Sequence, residues 1–250
     1  MCYDSEALPP KPPTTGQLLS SERVVLATPD GGAAPGFIAR SIPKQLGGPG
    51  VVILPDRRGL HWFYERLAEN FADTGIDAVA VDFYHRTAGT SFRGDDFDPT
   101  EHRGAVTTQS LQHDVHAGVG ALREMGVSRT YVVGFCFGGH GALLAATDPE
   151  LAGVVSFYGF PTREDAEGRS PVSDARDGRV AVPILAMFGA DDESVGREAP
   201  HDYRDALAAG GATHEVVVYQ DAGHSFFDRR MREQEEHCAD AWQRIVAFVR

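Results

Sequence analysis

The stretch in this chain best suited to chemistry is Tyr131-Val-Val-Gly-Phe-Cys136-Phe-Gly-Gly-His-Gly141. An apolar, β-branched run leads into a cysteine with a glycine two positions to either side, and an Ala/Leu-rich stretch (142–146) follows. The pattern predicts strand, tight turn and helix, with a thiol at the turn in the G-x-S-x-G arrangement, cysteine replacing serine. In such a turn the nucleophile's backbone is strained, and the flanking positions must lack side chains so that strand and helix can pack closely. The helix N-terminus beneath the sulfur favours thiolate over thiol. A dinucleotide loop would need glycine at position 136, and a phosphate loop would need Gly-Lys-Ser/Thr, which is absent. An inert buried cysteine is the competing reading, so the partners decide.

Two further segments supply them. Asp192 lies in Phe188-Gly-Ala-Asp-Asp192-Glu, and His224 in Asp221-Ala-Gly-His224-Ser-Phe-Phe. Nucleophile, acid and histidine in that chain order is the order of α/β-hydrolases. His224 would take the thiol proton and later activate water, while Asp192 would orient the imidazole and stabilise its charged form. The backbone N–H groups of Phe137 and of Arg57, in the loop after an earlier strand, would form an oxyanion hole. Asp191 competes with Asp192 for the acid role. Alone, His224 would read as a turn histidine; three pieces in order outweigh that.

The elements that must position these residues alternate. Strands are expected at Arg23–Thr28 and Gly36–Ile42, antiparallel and joined by a turn, then at Val51–Leu54, Ile76–Asp82, Tyr131–Val133, Leu151–Tyr158, Val182–Phe188 and His214–Tyr219. Helical spacing appears at Phe63/Leu67/Phe71, at Leu111/Val115/Val119/Leu122, over about 198–209, and at Cys238/Trp242/Ile245/Val249. The order β-α-β-α implies an α/β fold, a mostly parallel central sheet with helices on both faces. In such sheets the ligand site lies at the carboxyl ends of the strands. Asp56, Arg86, Cys136, Asp192 and His224 each follow a strand and should therefore gather at one edge. Residues 1–20, rich in proline, read as an extended N-terminal arm, and 21–250 as a single domain. The polar, glycine-rich stretch 87–108 reads as a long loop, functional or mobile.

The 250 residues carry a net charge of −13, which argues against nucleic acid or an anionic membrane as partner. Three cysteines (Cys2, Cys136, Cys238) are too few and scattered for a disulfide framework or zinc site. No apolar run approaches a membrane span and the N-terminus lacks a signal peptide's features, so a cytoplasmic protein, monomer or homodimer, is expected.

The segments Gly134-Phe-Cys-Phe-Gly-Gly139, Phe188-Gly-Ala-Asp-Asp192, Ala222-Gly-His-Ser-Phe226 and Asp82-Phe-Tyr-His-Arg86 make the chain, from about residue 23 onward, resemble the dienelactone hydrolase family, cysteine-type α/β-hydrolases. The resemblance implies hydrolysis of a small lactone or ester bearing a carboxylate, through a cysteine acyl-enzyme and without cofactor. It places the acid on Asp192, and matches Asp56 to an activating glutamate and Arg86 to a carboxylate-binding arginine. A second such arginine falls at Asp228, with Arg229 and Arg230 beside it. A thioesterase or general carboxylesterase on the same triad is one alternative; a non-catalytic binding protein of the same fold is another. Trp62 and Tyr158 are candidates for the pocket wall or for core packing, and His85 for substrate contact. Surface solvation is expected for Arg57, Arg58, His113 and His116, and a structural role for His140.

Overall fold

The computed structural model describes residues 3, 6–42 and 47–250; Cys2 lies outside them. In chain order the elements are β1 (Gln17–Ala27), β2 (Ala33–Ile42), β3 (Pro49–Leu54), α1 (Trp62–Asp73), β4 (Asp77–Val81), α2 (His85–Ala88), α3 (Thr100–Arg103), α4 (Thr108–Glu124), β5 (Arg129–Phe135), α5 (Phe137–Ala145), β6 (Gly153–Phe157), α6 (Pro171–Arg176), β7 (Ile184–Gly189), α7 (Ala199–Ala209), β8 (His214–Tyr219) and α8 (Glu235–Val249). The strands form one sheet among the described residues, in the order β1-β2-β4-β3-β5-β6-β7-β8. β1 and β2 are antiparallel; β4 through β8 by way of β3 run parallel. The chain has the α/β-hydrolase fold.

Runs apolar on both faces become the sheet's centre. Every residue of β3, β4, β6 and β7 is buried, because α1 and α8 cover one face and α4, α5 and α7 the other. The edge strand β1 alternates between half-buried and exposed positions. It begins at Gln17, six residues before the predicted Arg23, and so takes in the end of the segment read as an arm. Pairing with Ile42 and Ser41 extends it, a gain of ladder bonds that an unpatterned sequence does not announce.

The stretch 87–108 is anchored rather than loose. Arg93, buried, donates to both carboxylate oxygens of buried Asp82 (2.8 and 3.1 Å) and to the carbonyls of Ala88 and Gly89, and His61 bonds Asp95 at 2.7 Å. No helix of the described residues is long and apolar enough to cross a membrane.

Candidate active site

Cys136 sits between β5 and α5 with φ 53° and ψ −109°, buried. A non-glycine residue there costs about 1–3 kcal/mol, and the surroundings hold it: its N–H donates to the Phe157 carbonyl and its carbonyl accepts from His140 N–H. Glycines make this packing possible. A Cβ on Gly134 would lie 2.0 Å from the Gly138 carbonyl oxygen, and one on Gly138 would lie 2.2 Å from that of Pro55. The start of α5 is thus drawn against the end of β3, and Gly138 N–H donates to Pro55 O at 3.0 Å. As the first residue of α5, Phe137 has an N–H with no intrahelical acceptor.

After Pro55 the chain makes a tight turn, with the Gly59 N–H donating to the Asp56 carbonyl at 3.0 Å. Asp56, fully buried, accepts from the Arg58 backbone N–H at 2.8 Å and pairs with the Arg58 guanidinium at 3.3 Å. The Tyr84 hydroxyl donates to the Arg57 carbonyl at 2.6 Å, so the peptide that follows Arg57 is pinned. Arg58, expected at the surface, instead neutralises Asp56, and nothing local marks Tyr84 as a tyrosine that reaches back 27 residues.

At the ends of β7 and β8 the two adjacent aspartates have different surroundings. Asp192, 2% exposed, accepts from His224 Nδ1 through Oδ2 at 2.7 Å, while its Oδ1 accepts from the N–H groups of Ser194 and Val195 at 2.9 and 3.1 Å. Asp191 is exposed and lies 3.6 Å from Arg197. The two loops meet because β7 ends in Gly189, where a Cβ would be 2.2 Å from the Ala222 carbonyl oxygen. Tyr158, also strained at φ 37°, is fully buried with its ring 5.0 Å from the His224 ring. The positive-φ non-glycine residues among those described are Cys136, Tyr158, Asp221 and Ser225; all follow β5, β6 or β8 at the carboxyl edge, where strain concentrates around functional groups. Beside Phe137 opens a cleft of about 440 Å³ with Arg103, Val106, Leu111, His140 and Arg163 in its wall.

Other sequence candidates are not gathered into this arrangement. Arg86 leaves the sheet at the expected edge, but its Nε donates to Asp30 at 2.7 Å and its Nη1 to buried Asp114 at 3.0 Å. Its charge serves the β1–β2 turn and α4, because Asp114 would otherwise be an undercompensated carboxylate. His85 bonds the same carboxylate at 2.9 Å. Trp62, the first residue of α1, lines a shallow groove with Ser21, Phe37 and Glu65 on the β1–β2 side. His140 bonds the Phe160 carbonyl at 2.8 Å, and burial lowers its pKa to about 4. On α4, His116 pairs with Asp148 at 2.7 Å and His113 lies 3.4 Å from Asp30. Burial pushes the Cys238 thiol up to about 12, which suits packing in the core beneath α8.

One residue that touches Tyr158 has no signal in the sequence. Tyr3, from the N-terminal arm, is 4% exposed, stacks on Phe63 (4.2 Å between centroids) and bonds the Tyr158 hydroxyl. A lone tyrosine in a proline-rich stretch carries no periodic signal.

A cysteine on a strained strand–helix turn, an Asp–His pair at the neighbouring strand ends and this strand order define a member of the α/β-hydrolase class. The comparisons are consistent with that and narrower. The model of the dienelactone hydrolase family matches residues 36–250. An Escherichia coli (strain K12) protein named "Putative carboxymethylenebutenolidase" is 33% identical over 227 residues, covering 86% of this chain and 82% of that one. The carboxymethylenebutenolidase of Rhodococcus opacus is 29% identical over 257 residues, covering 99% and 96%. The crystal structure of a Klebsiella pneumoniae protein named "Putative Dienelactone Hydrolase" superposes with TM-score 0.76 at 27% identity, covering 92% of this chain and 98% of that one. The chain belongs to the dienelactone hydrolase family and is a hydrolase acting on lactone or ester bonds.

Proposed function

We propose that the chain hydrolyses small esters or lactones through a Cys136 acyl-enzyme, with His224 as base and acid and Asp192 as its orienting carboxylate. The observation that carries this reading is the 2.7 Å bond from His224 Nδ1 to Asp192: it fixes the tautomer in which Nε2 is the basic nitrogen, at the sheet edge where Cys136 stands. Nε2 takes the thiol proton as sulfur attacks the carbonyl carbon. The resulting oxyanion is received by the N–H groups of Phe137 and Arg57. Collapse breaks the C–O bond, and the imidazolium returns its proton to the leaving alkoxide, which in a lactone stays tethered to the acyl group. His224 then deprotonates a water that attacks the thioester, releasing the carboxylic acid and the thiol.

On the substrate, the engaged guanidinium of Arg86 supports a neutral ester or lactone over a carboxylate-bearing one. Asp56, held by Arg58, supports the oxyanion turn in this reading rather than an activation step at the thiol.

Wild type and Cys136→Ala would be assayed on p-nitrophenyl acetate, a simple lactone, a thioester and a carboxylate-bearing dienelactone. Loss of turnover by more than a hundredfold in the variant, with the neutral substrates preferred by wild type, is the expected result. Equal turnover by the two proteins would overturn the Cys136 mechanism.

A further inference from the structure

The hydroxyl that holds Tyr158, the tyrosine packed on His224, comes from the opposite end of the chain. The arm carrying Tyr3 is built into the loop that follows His224. Asp228 Oδ1 accepts from the Leu8 N–H at 3.1 Å, and the Arg229 N–H donates to the Leu8 carbonyl at 3.0 Å. Arg230 pairs with Glu6 at 2.9 Å. The Pro10 carbonyl accepts from Trp242 Nε1 and Asn70 Nδ2, each at 3.0 Å. Ala7 is fully buried. These contacts deliver the Tyr3 ring between Phe63 and the Arg58 guanidinium, whose carbon lies 5.7 Å from the ring centre.

The hydroxyl chemistry then runs in one direction. Tyr3 O–H donates to the Phe227 carbonyl at 3.0 Å. Each phenol has a single proton, so the bond between the two tyrosine hydroxyls is donated by Tyr158. Burial holds the Tyr3 phenol far above its ordinary pKa, which keeps this relay in the neutral form. Tyr158 is thereby held at both ends: by a strained backbone at φ 37° whose N–H donates to Met187 O at 2.8 Å, and by a hydroxyl committed to Tyr3. Its ring lies against the His224 imidazole.

We propose that Tyr3 is a positioning residue of the active site, supplied by the N-terminal arm, which fixes the Tyr158 ring and through it the plane of the His224 imidazole; this rests on the hydrolytic role proposed above for His224. A tyrosine that merely fills the core between α1 and α8 would leave the catalysis of folded molecules unchanged when its hydroxyl is removed. A positioning tyrosine would not.

The test uses the full chain with Tyr3→Phe, Tyr158→Phe and the double variant, with rates normalised to active sites counted by acylation of Cys136. Tyr3→Phe keeps the ring stack on Phe63 and is expected to lower kcat per active site roughly tenfold, a misorientation effect, with KM within about twofold. In the Tyr158→Phe background the same substitution should have no further effect. Asp228→Ala, which loosens the arm without touching either tyrosine, should lower kcat per active site in the same direction and serves if Tyr3→Phe folds poorly. Unchanged kcat per site in Tyr3→Phe, or a full second loss in the Tyr158→Phe background, would overturn the inference. The Cys136→Ala assay separately decides the hydrolytic reading; a fully active Cys136→Ala would remove the basis of both.

Discussion

Replacing Asp192 by asparagine puts the proposed mechanism under its sharpest test. The carboxylate accepts three hydrogen bonds, two from the Ser194 and Val195 N–H groups and one from His224 Nδ1. Asparagine can keep its single oxygen on the two backbone donors only by turning its NH2 toward Nδ1. The imidazole must then accept at Nδ1 and carry its proton on Nε2, the nitrogen that should receive the thiol proton. In a serine triad the equivalent inversion costs about 10⁴ in kcat, about 5.5 kcal/mol of transition-state stabilisation. A cysteine nucleophile divides that loss unevenly. An ordinary thiol ionises at about 8.5, so acylation should fall by only about 30-fold at pH 7 and recover as pH approaches 9.5. Deacylation, which needs water deprotonated, should keep most of the loss, so acyl-enzyme accumulates. Stopped-flow release of p-nitrophenol separates the phases: a burst whose rate climbs with pH toward that of wild type, followed by a steady state that stays at least 10³ lower. A steady-state loss below tenfold, or burst and steady state depressed equally at every pH, would refute the reasoning. Asp191→Asn, at an exposed carboxylate near Arg197, should leave both phases unchanged.

Three further outcomes are expected. Gly138→Ala would set a Cβ 2.2 Å from the Pro55 oxygen; roughly 1–3 kcal/mol of stability should be lost with a larger loss of Cys136 acylation, checked by denaturant unfolding and burst amplitude. Arg86→Ala leaves buried Asp114 with His85 but without its guanidinium, costing roughly 2 kcal/mol. Calorimetry should show Tm lower by roughly 4–8 °C at this chain length, while turnover of neutral esters is retained. His140 is neutral when folded, its pKa lowered by burial to about 4 from 6.5; below pH 6.5 the unfolded chain binds the extra proton. Its contribution to stability is therefore complete above pH 6.5 and falls as pH drops to about 4, by roughly 3 kcal/mol. Urea unfolding of His140→Asn against wild type should show the variant losing correspondingly less over that window.

How much of this was legible in the chain differs from residue to residue. The elbow at Cys136 could be read because its requirements are local: a strand, a helix and glycines where a Cβ would collide. The mostly parallel sheet and the meeting of Asp192 with His224 at one edge followed from alternation, since parallel sheets bring every strand end to one edge, whereas the strand order did not. Asp191 and Asp192, adjacent in sequence, could not be separated by pattern, because consecutive residues of a turn differ only in direction. Burial and three donors single out the second.

What the sequence by itself determined is the set of elements and the edge at which chemistry-bearing residues emerge, because periodicity and glycine placement act over a few residues. What only the tertiary structure decided is each side chain's partner. Arg86 emerged at the right edge yet spends its charge on Asp30 and Asp114, 56 and 28 residues distant. Trp62 opens α1 beside Ser21 and Phe37 on the β1–β2 side. Tyr3 reaches Tyr158 across 155 residues. Hydrogen bonds and ion pairs are satisfied by whatever the fold brings within about 3 Å, and that proximity is a property of the packed chain, with no trace in the local sequence around either partner.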